Sequence, residues 1–257
     1  MSKKLSKQIN RTVSYSSDSE QINVLDTRFY KRNKEYYPSV SSILQYYPKG
    51  KFFEDWIKGN GFNSDVIAAK AANEGTQVHN AIEEFLDGKE INWLDDFGNT
   101  KYPLDVWRMI LKFSTFWNTY KPRLIKKEYH VFSDKGKYAG TIDLVIELFK
   151  QLWLIDTKTS NSLHTINDLQ LSAYAVAWNE THDTPIERTG ILWLKSNSRS
   201  EKLKGEKIQG KGWELRPIDN IEHNFKIFQY VHEIYKIENP YQKPMTENIP
   251  VSVRIEK

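Results

Sequence analysis

The chain reads as a mixed α/β (α+β) protein: a three-stranded antiparallel meander plus further strand(s), flanked by helices and preceded by a helical N-terminal section. Three observations predict this. Residues 104–120 and 163–179 carry apolar side chains at helical spacing. Between them, residues 124–132, 137–148 and 152–157 are strand-like runs joined by short polar connections. A further strand-like run at 187–195 follows the second helix, which gives the order helices, three strands, helix, strand.

Taken in order, residues 1–22 are rich in serine and charge and are expected to form a disordered polar tail. Residues 28–37 place two aromatic patches around a polar turn, the pattern of a small hairpin. Pro38-Ser39 then opens a short helix over 40–47, with Ser39 or Ser41 as its cap. Residues 52–86 are helical in period, with a break at Gly59-Asn60-Gly61. In the second half Val78, Ile82, Phe85 and Leu86 make the apolar stripe. Leu104, Trp107, Ile110, Phe113 and Trp117 define the next helix, which Pro122 stops. The connections at 134–136 and 149–151 are short enough to make the three following strands antiparallel neighbours. After strand 187–195, a basic, glycine-containing stretch to residue 215 suggests a long hairpin or mobile loop. Ile221, Phe225, Phe228, Val231 and Tyr235 mark a last helix. The implied organisation is 1–22 tail, 23–120 hairpin and helical section, 121–240 core and 241–257 tail.

Composition excludes whole classes of chemistry. The chain has 257 residues and no cysteine. That removes a disulfide framework, a cysteine-ligated zinc or iron–sulfur cluster and a cysteine nucleophile. No apolar run approaches the roughly 18 residues of a membrane span, and no apolar block follows Lys3, Lys4 and Lys7 as a secretory signal requires. A soluble, cytoplasmic protein with no membrane partner is expected. Net charge is only +4, but basic residues cluster at Lys121, Arg123, Lys126 and Lys127 and across 195–216, and aromatics reach 13%. Basic loops among aromatics suit phosphate contact and base stacking; a charged, solvated surface over an aromatic core explains the same counts.

The chemistry concentrates in a few positions. In Leu152-Trp-Leu-Ile-Asp-Thr-Lys158, alternation puts Asp156 and Lys158 on one face with Leu152 and Leu154. The preceding strand brings Gly140-Thr-Ile-Asp143. Alternation sets Asp143 on the face away from Ile142 and Leu144, where an antiparallel neighbour lies it across from Asp156. Two close carboxylates repel unless a proton or cation lies between them, and oxygen ligands suit a hard divalent ion. Gly140 is bare where a substrate backbone could approach. A satisfied structural cluster and a cation site stand level on these residues. His79 follows Gly75 by one helical turn at the border of the apolar stripe, and Gln170 and Tyr174 lie four apart on another helix.

Together these residues resemble the PD-(D/E)XK nuclease superfamily, closest to its RecB-type and phage exonuclease-like members. Gly75–His79 is similar to the family's Gly-x-x-x-His, Gly140–Asp143 to its Gly-x-x-Asp, Asp156–Lys158 to its Asp-x-Lys and Gln170–Tyr174 to its Gln-x-x-x-Tyr. The likeness covers residues 74–195, about half of the chain. It implies a restriction-endonuclease-like core and a Mg²⁺ or Mn²⁺ held by Asp143, Asp156, His79 and the Thr157 carbonyl, with no iron–sulfur cluster. Asp143, Asp156 and Lys158 would be the catalytic group, Lys158 orienting the attacking water. Gln170 and Tyr174 would support the site or touch phosphate. Glu128 is a candidate for a second metal or a hydrogen-bond support, an edge-strand charge explaining it equally well; Glu83 and His130 are read as structural. The implied activity is a DNA exonuclease leaving 5′-phosphate and 3′-hydroxyl ends in phage recombination, replication or repair. Its partners would be single-stranded or duplex DNA ends and a single-strand-binding or annealing protein. A flap or branch endonuclease and a catalytically silent DNA-binding subunit are the alternatives.

Overall fold

A computed structural model describes residues 12–16, 19–24, 27–199 and 207–240, with side chains from residue 28 onward except Phe52. The first strands are β1 (Thr12–Ser16), β2 (Ser19–Val24), β3 (Thr27–Arg32) and β4 (Glu35–Pro38), an antiparallel sheet in chain order. Asn33 and Lys34 take left-handed φ values of 51° and 69°, the two-residue turn that matches strand twist and closes the expected hairpin. The tail expected over 1–22 needs correction where it is described. β1 and all but the end of β2 fall inside it, because the hairpin leaves an open edge on which polar strands pair. Residues 1–11 and the expected tail 241–257 lie outside the described residues.

Helix α1 (Val40–Leu44) is capped by Ser39, whose hydroxyl accepts the Ser42 N–H at 2.9 Å. Helices α2 (Gly50–Asn60) and α3 (Asn63–Leu86) are separated at Gly61, φ 52°, within the expected break. Helix α4 (Leu104–Tyr120) ends on left-handed Lys121, directly before Pro122. Then come β5 (Arg123–Ser133), β6 (Tyr138–Leu148) and β7 (Gln151–Lys158), an antiparallel meander. Helix α5 (Thr165–Thr181) carries the chain to β8 (Arg188–Trp193), parallel to β7, as a parallel pair requires a crossover. The basic stretch closes as a hairpin of β9 (Ile208–Gly210) and β10 (Trp213–Pro217), and α6 (Ile221–Glu238) ends the described chain. The six-stranded mixed sheet has the order β5-β6-β7-β8-β10-β9.

Helices cover both faces of this sheet. Leu152 and Leu154 pack with Leu169, Ala173 and Trp178 of α5 and Phe228 and Val231 of α6. Their neighbours Trp153 and Ile155 pack with Val78 and Ile82 of α3 and Met109, Phe113 and Phe116 of α4. That is the period of two expected of β7. The helices expected in a front section therefore share a core with the sheet.

β6 departs from alternation. Ile142 and Val145 join the core on the α5 side, whereas Leu144 and Ile146 join the other, so Ile142 and Leu144 do not share a face as the sequence suggested. The β5–β6 ladder pairs Lys127 with Leu144 and Tyr129 with Ile142 but omits Glu128 and Asp143, and Glu128 takes a φ of 43°. A non-glycine residue in the left-handed region within a strand is strained and turns its side chain out of alternation. Among the described residues, no helix is long and apolar enough to cross a membrane.

Candidate active site

The irregularity in β6 lies where the sheet divides. β7 pairs with β6 as far as Leu144↔Ile155, then continues along β8 alone through Asp156↔Ile191 to Lys158↔Trp193. At the point of separation the Asp143 carboxylate takes over from the ladder, accepting the Thr157 N–H at 2.8 Å. A cleft of about 800 Å³ opens here. His79, Glu128, Asp143, Asp156, Thr157, Lys158, Gln170 and Tyr174, all singled out by sequence, line it.

Each helix is brought to the cleft by a small residue. On α3, a Cβ at Gly75 would stand 3.2 Å from Thr159 Oγ1, so the missing side chain lets the helix approach the end of β7. Val78, Ala81 and Ile82 bury that helix against α4 and the sheet, which leaves His79 on the cleft border, its Nδ1 3.6 Å from Asp143 Oδ2. On the other side, a Cβ at Gly140 would fall 2.2 Å from Tyr174 Cε1. Gly140 is therefore bare to admit the Tyr174 ring rather than a substrate backbone, a correction to the sequence reading.

Tyr174 begins a chain of polar contacts. Its hydroxyl accepts from Gln170 Nε2 at 3.1 Å, Gln170 Oε1 accepts from Lys158 Nζ at 3.4 Å, and Lys158 Nζ stands 2.8 Å from Asp156 Oδ2. Asp156 is only 3% exposed. Burial pushes its carboxyl up to about 6; Asp143 adds to this, and Lys158 and His79 oppose it. Burial works to lower the Lys158 pKa, but the Asp156 and Asp143 carboxylates outweigh it, and the net shift is upward. Lys158 therefore stays an ammonium. Glu128 keeps an exposed flank, yet desolvation and then the Asp143 charge push it up to about 7, His79 opposing.

Ligand atoms of His79, Glu128 and Asp143 lie within 4.8 Å of one another. Two further oxygens are buried without a hydrogen-bonded partner: Thr157 Oγ1, and Asp156 Oδ2, whose contact with the ammonium is close but not aligned as a hydrogen bond. Imidazole with carboxylates and orphaned oxygens is a donor set that fits Mn²⁺ or Mg²⁺.

Sequence reasoning missed part of the cleft. Glu83 and His130, read as structural, line it, as do Arg28 from β3, Ser41 from α1 and Asn80 from α3. Glu83 lies one turn beyond His79, a signal that could have found it; Arg28 and Ser41 arrive from the distant hairpin and the short helix after it and carry no local signal. The basic clusters are partly engaged: Lys127 meets Asp87 at 2.7 Å, Arg123 pairs with Glu147, and Lys195 stands 3.9 Å from Glu74. Lys202 and Lys204 lie outside the described residues. No protein-family model and no curated protein matches the chain.

Proposed function

We propose that the cleft is the active site of a divalent-cation-dependent DNA exonuclease built on a restriction-endonuclease-like core. The observation that carries the reading is the convergence of four separate elements: His79 from α3, Asp143 from β6, Asp156 and Lys158 from β7, and Gln170 from α5 border one cavity. A purely structural ion pair at a strand end does not call for a second carboxylate, an imidazole and a cavity of this size around it.

In this reading Asp143, Asp156, His79 and the Thr157 carbonyl hold the cation, which when bound polarises the phosphate and acidifies a water. The protein's own groups do the rest. Lys158, kept protonated by its two carboxylates, donates to the attacking water's oxygen or to a phosphate oxygen and offsets charge in the transition state. Gln170, anchored on Tyr174, limits where the ammonium can point. In-line attack releases a 5′-phosphate and leaves a 3′-hydroxyl. The setting would be the cytoplasm, in phage recombination, replication or repair, beside a single-strand-binding or annealing protein.

The test is digestion of linear DNAs labelled separately at the 5′ and 3′ ends, and of closed circles, with Mn²⁺ and with chelator. We expect linear DNA to be degraded only with the cation and circles to survive. Cleavage of closed circles would convert the reading to an endonuclease, and intact DNA throughout would defeat it. Asp156→Ala and Lys158→Ala should each lose activity by at least about 10²-fold, with unchanged circular dichroism.

A further inference from the structure

At the opposite end of the sheet from the cleft, the chain gives up both an easy backbone and the burial of a large ring. The β6–β7 hairpin closes there on Phe149 and Lys150, which take left-handed φ values of 53° and 63°. A two-residue turn of this kind favours asparagine and glycine, and a side chain with a Cβ is disfavoured in this region by about 1–2 kcal/mol. Phe149 is nevertheless 61% exposed, so burial does little to offset that strain. Strained positions that persist are often functional ones.

The exposed ring has a fixed setting. It meets Tyr120 edge to face, with centroids 6.0 Å apart and planes at 89°, and Tyr120 stands in the same way against the buried Trp213. Phe149 and Tyr120 therefore form a corner backed by the core. Cations gather around it. Lys121 follows Tyr120 directly, Arg123 opens β5, and Lys150 sits in the turn itself, all three exposed. The carboxylates of this end are engaged: Glu147 pairs with Arg123, and Glu187 accepts the Leu152 N–H at 2.7 Å.

We propose that this corner docks an acidic peptide segment of a partner protein, with one aromatic or aliphatic side chain of the partner seated between Phe149 and Tyr120. Lys121 and Lys150 would meet the partner's carboxylates, a complementarity that steers encounter and fixes register. A nucleic-acid strand fits less well. Bases stack on an open ring face, whereas perpendicular rings make a corner suited to a side chain. Glu147, set among the cations, can accept a peptide N–H but repels a phosphate. The 8 residues of β7 separate the corner from Lys158 by roughly 25 Å, so a partner held here leaves the cleft open. The inference goes beyond the reading of the cleft and stands without it.

Fluorescence anisotropy with the full-length protein tests this. The probe is a short labelled peptide rich in aspartate and carrying one phenylalanine; controls are its Phe-to-Ser version, a lysine-rich counterpart and a labelled single-stranded oligonucleotide. We expect the acidic peptide to bind, and Phe149→Asn to weaken it about tenfold, the loss typical of an anchoring aromatic. Asparagine suits the left-handed turn, so this variant should keep or gain thermal stability. Lys121→Glu with Lys150→Glu should weaken binding as much, and added salt should weaken the parent. Asp156→Ala should bind the peptide as the parent does. The proposal is overturned if the parent ignores the acidic peptide, if the Phe-to-Ser or lysine-rich peptide binds equally well, or if Phe149→Asn changes nothing. An oligonucleotide that loses affinity in Phe149→Asn while the peptide does not would assign the corner to nucleic acid and overturn it too.

Discussion

At the residue scale, the site depends on what two glycines leave out. Gly140 makes room for a ring, and that ring steadies the amide that meets the lysine. Tyr174 is 4% exposed, so it has little freedom to retreat from an added Cβ at 2.2 Å. Gly140→Ala is therefore expected to destabilise the protein by about 1–3 kcal/mol through overpacking. In the proposed nuclease it should also lower turnover more than substrate affinity, because Lys158 loses its brace. Urea unfolding and steady-state kinetics measure the two effects. A variant of parental stability and turnover would show that Tyr174 yields freely.

At the element scale, α6 buries a histidine among aromatic rings. His232 is 4% exposed, among the rings of Tyr138, Phe228 and Tyr235, and its Nε2 has no hydrogen-bond partner. Burial, with help from Lys236 and against the pull of Glu233, lowers its pKa to about 4. The unfolded chain binds the proton near pH 6.5 while the folded chain refuses it. Stability from this group is therefore full above pH 6.5 and is lost as pH falls toward 4, by up to about 3 kcal/mol. Asp156 and Glu128, whose pKa values are raised, pull the other way in part of that window, so the comparison must be between variants. His232→Phe should flatten the acid side of a melting-temperature profile between pH 6.5 and 4. An unchanged profile would mean that the histidine finds a partner on protonation.

At the scale of the whole molecule, a net charge of +4 is too small to hold DNA by itself, and several basic side chains are already tied to carboxylates. Binding by Asp156→Ala protein in Mg²⁺ should thus show a shallow salt dependence. A cleft engaging three to four phosphates of a single strand loses roughly 20- to 50-fold in affinity between about 50 and 200 mM salt. Fluorescence anisotropy across that range measures it. A loss several orders larger would place the main contacts on the basic surface and not in the cleft.

Much of this molecule was legible along the chain because local patterns carry it. Helical spacing of apolar residues, Pro122 after α4 and the short connections of the meander are decided by backbone geometry within a few residues, and the elements formed there. Asp156 and Lys158 share a face for the same reason: alternation in an unbroken strand needs no knowledge of neighbours. Alternation failed in β6 where the ladder omits Asp143 and, on the adjacent strand, the left-handed Glu128, and Ile142 and Leu144 enter different cores. The role of Gly140 was equally invisible, since the ring that occupies its space comes from a helix more than thirty residues away. Arg28 and Ser41 reach the cleft only because the hairpin and the short helix after it pack against β6. The sequence by itself determined which side chains exist to do chemistry and on which elements they ride. Only the tertiary structure decided which of them meet, because a cavity belongs to the packing between elements and has no period that a single segment could display.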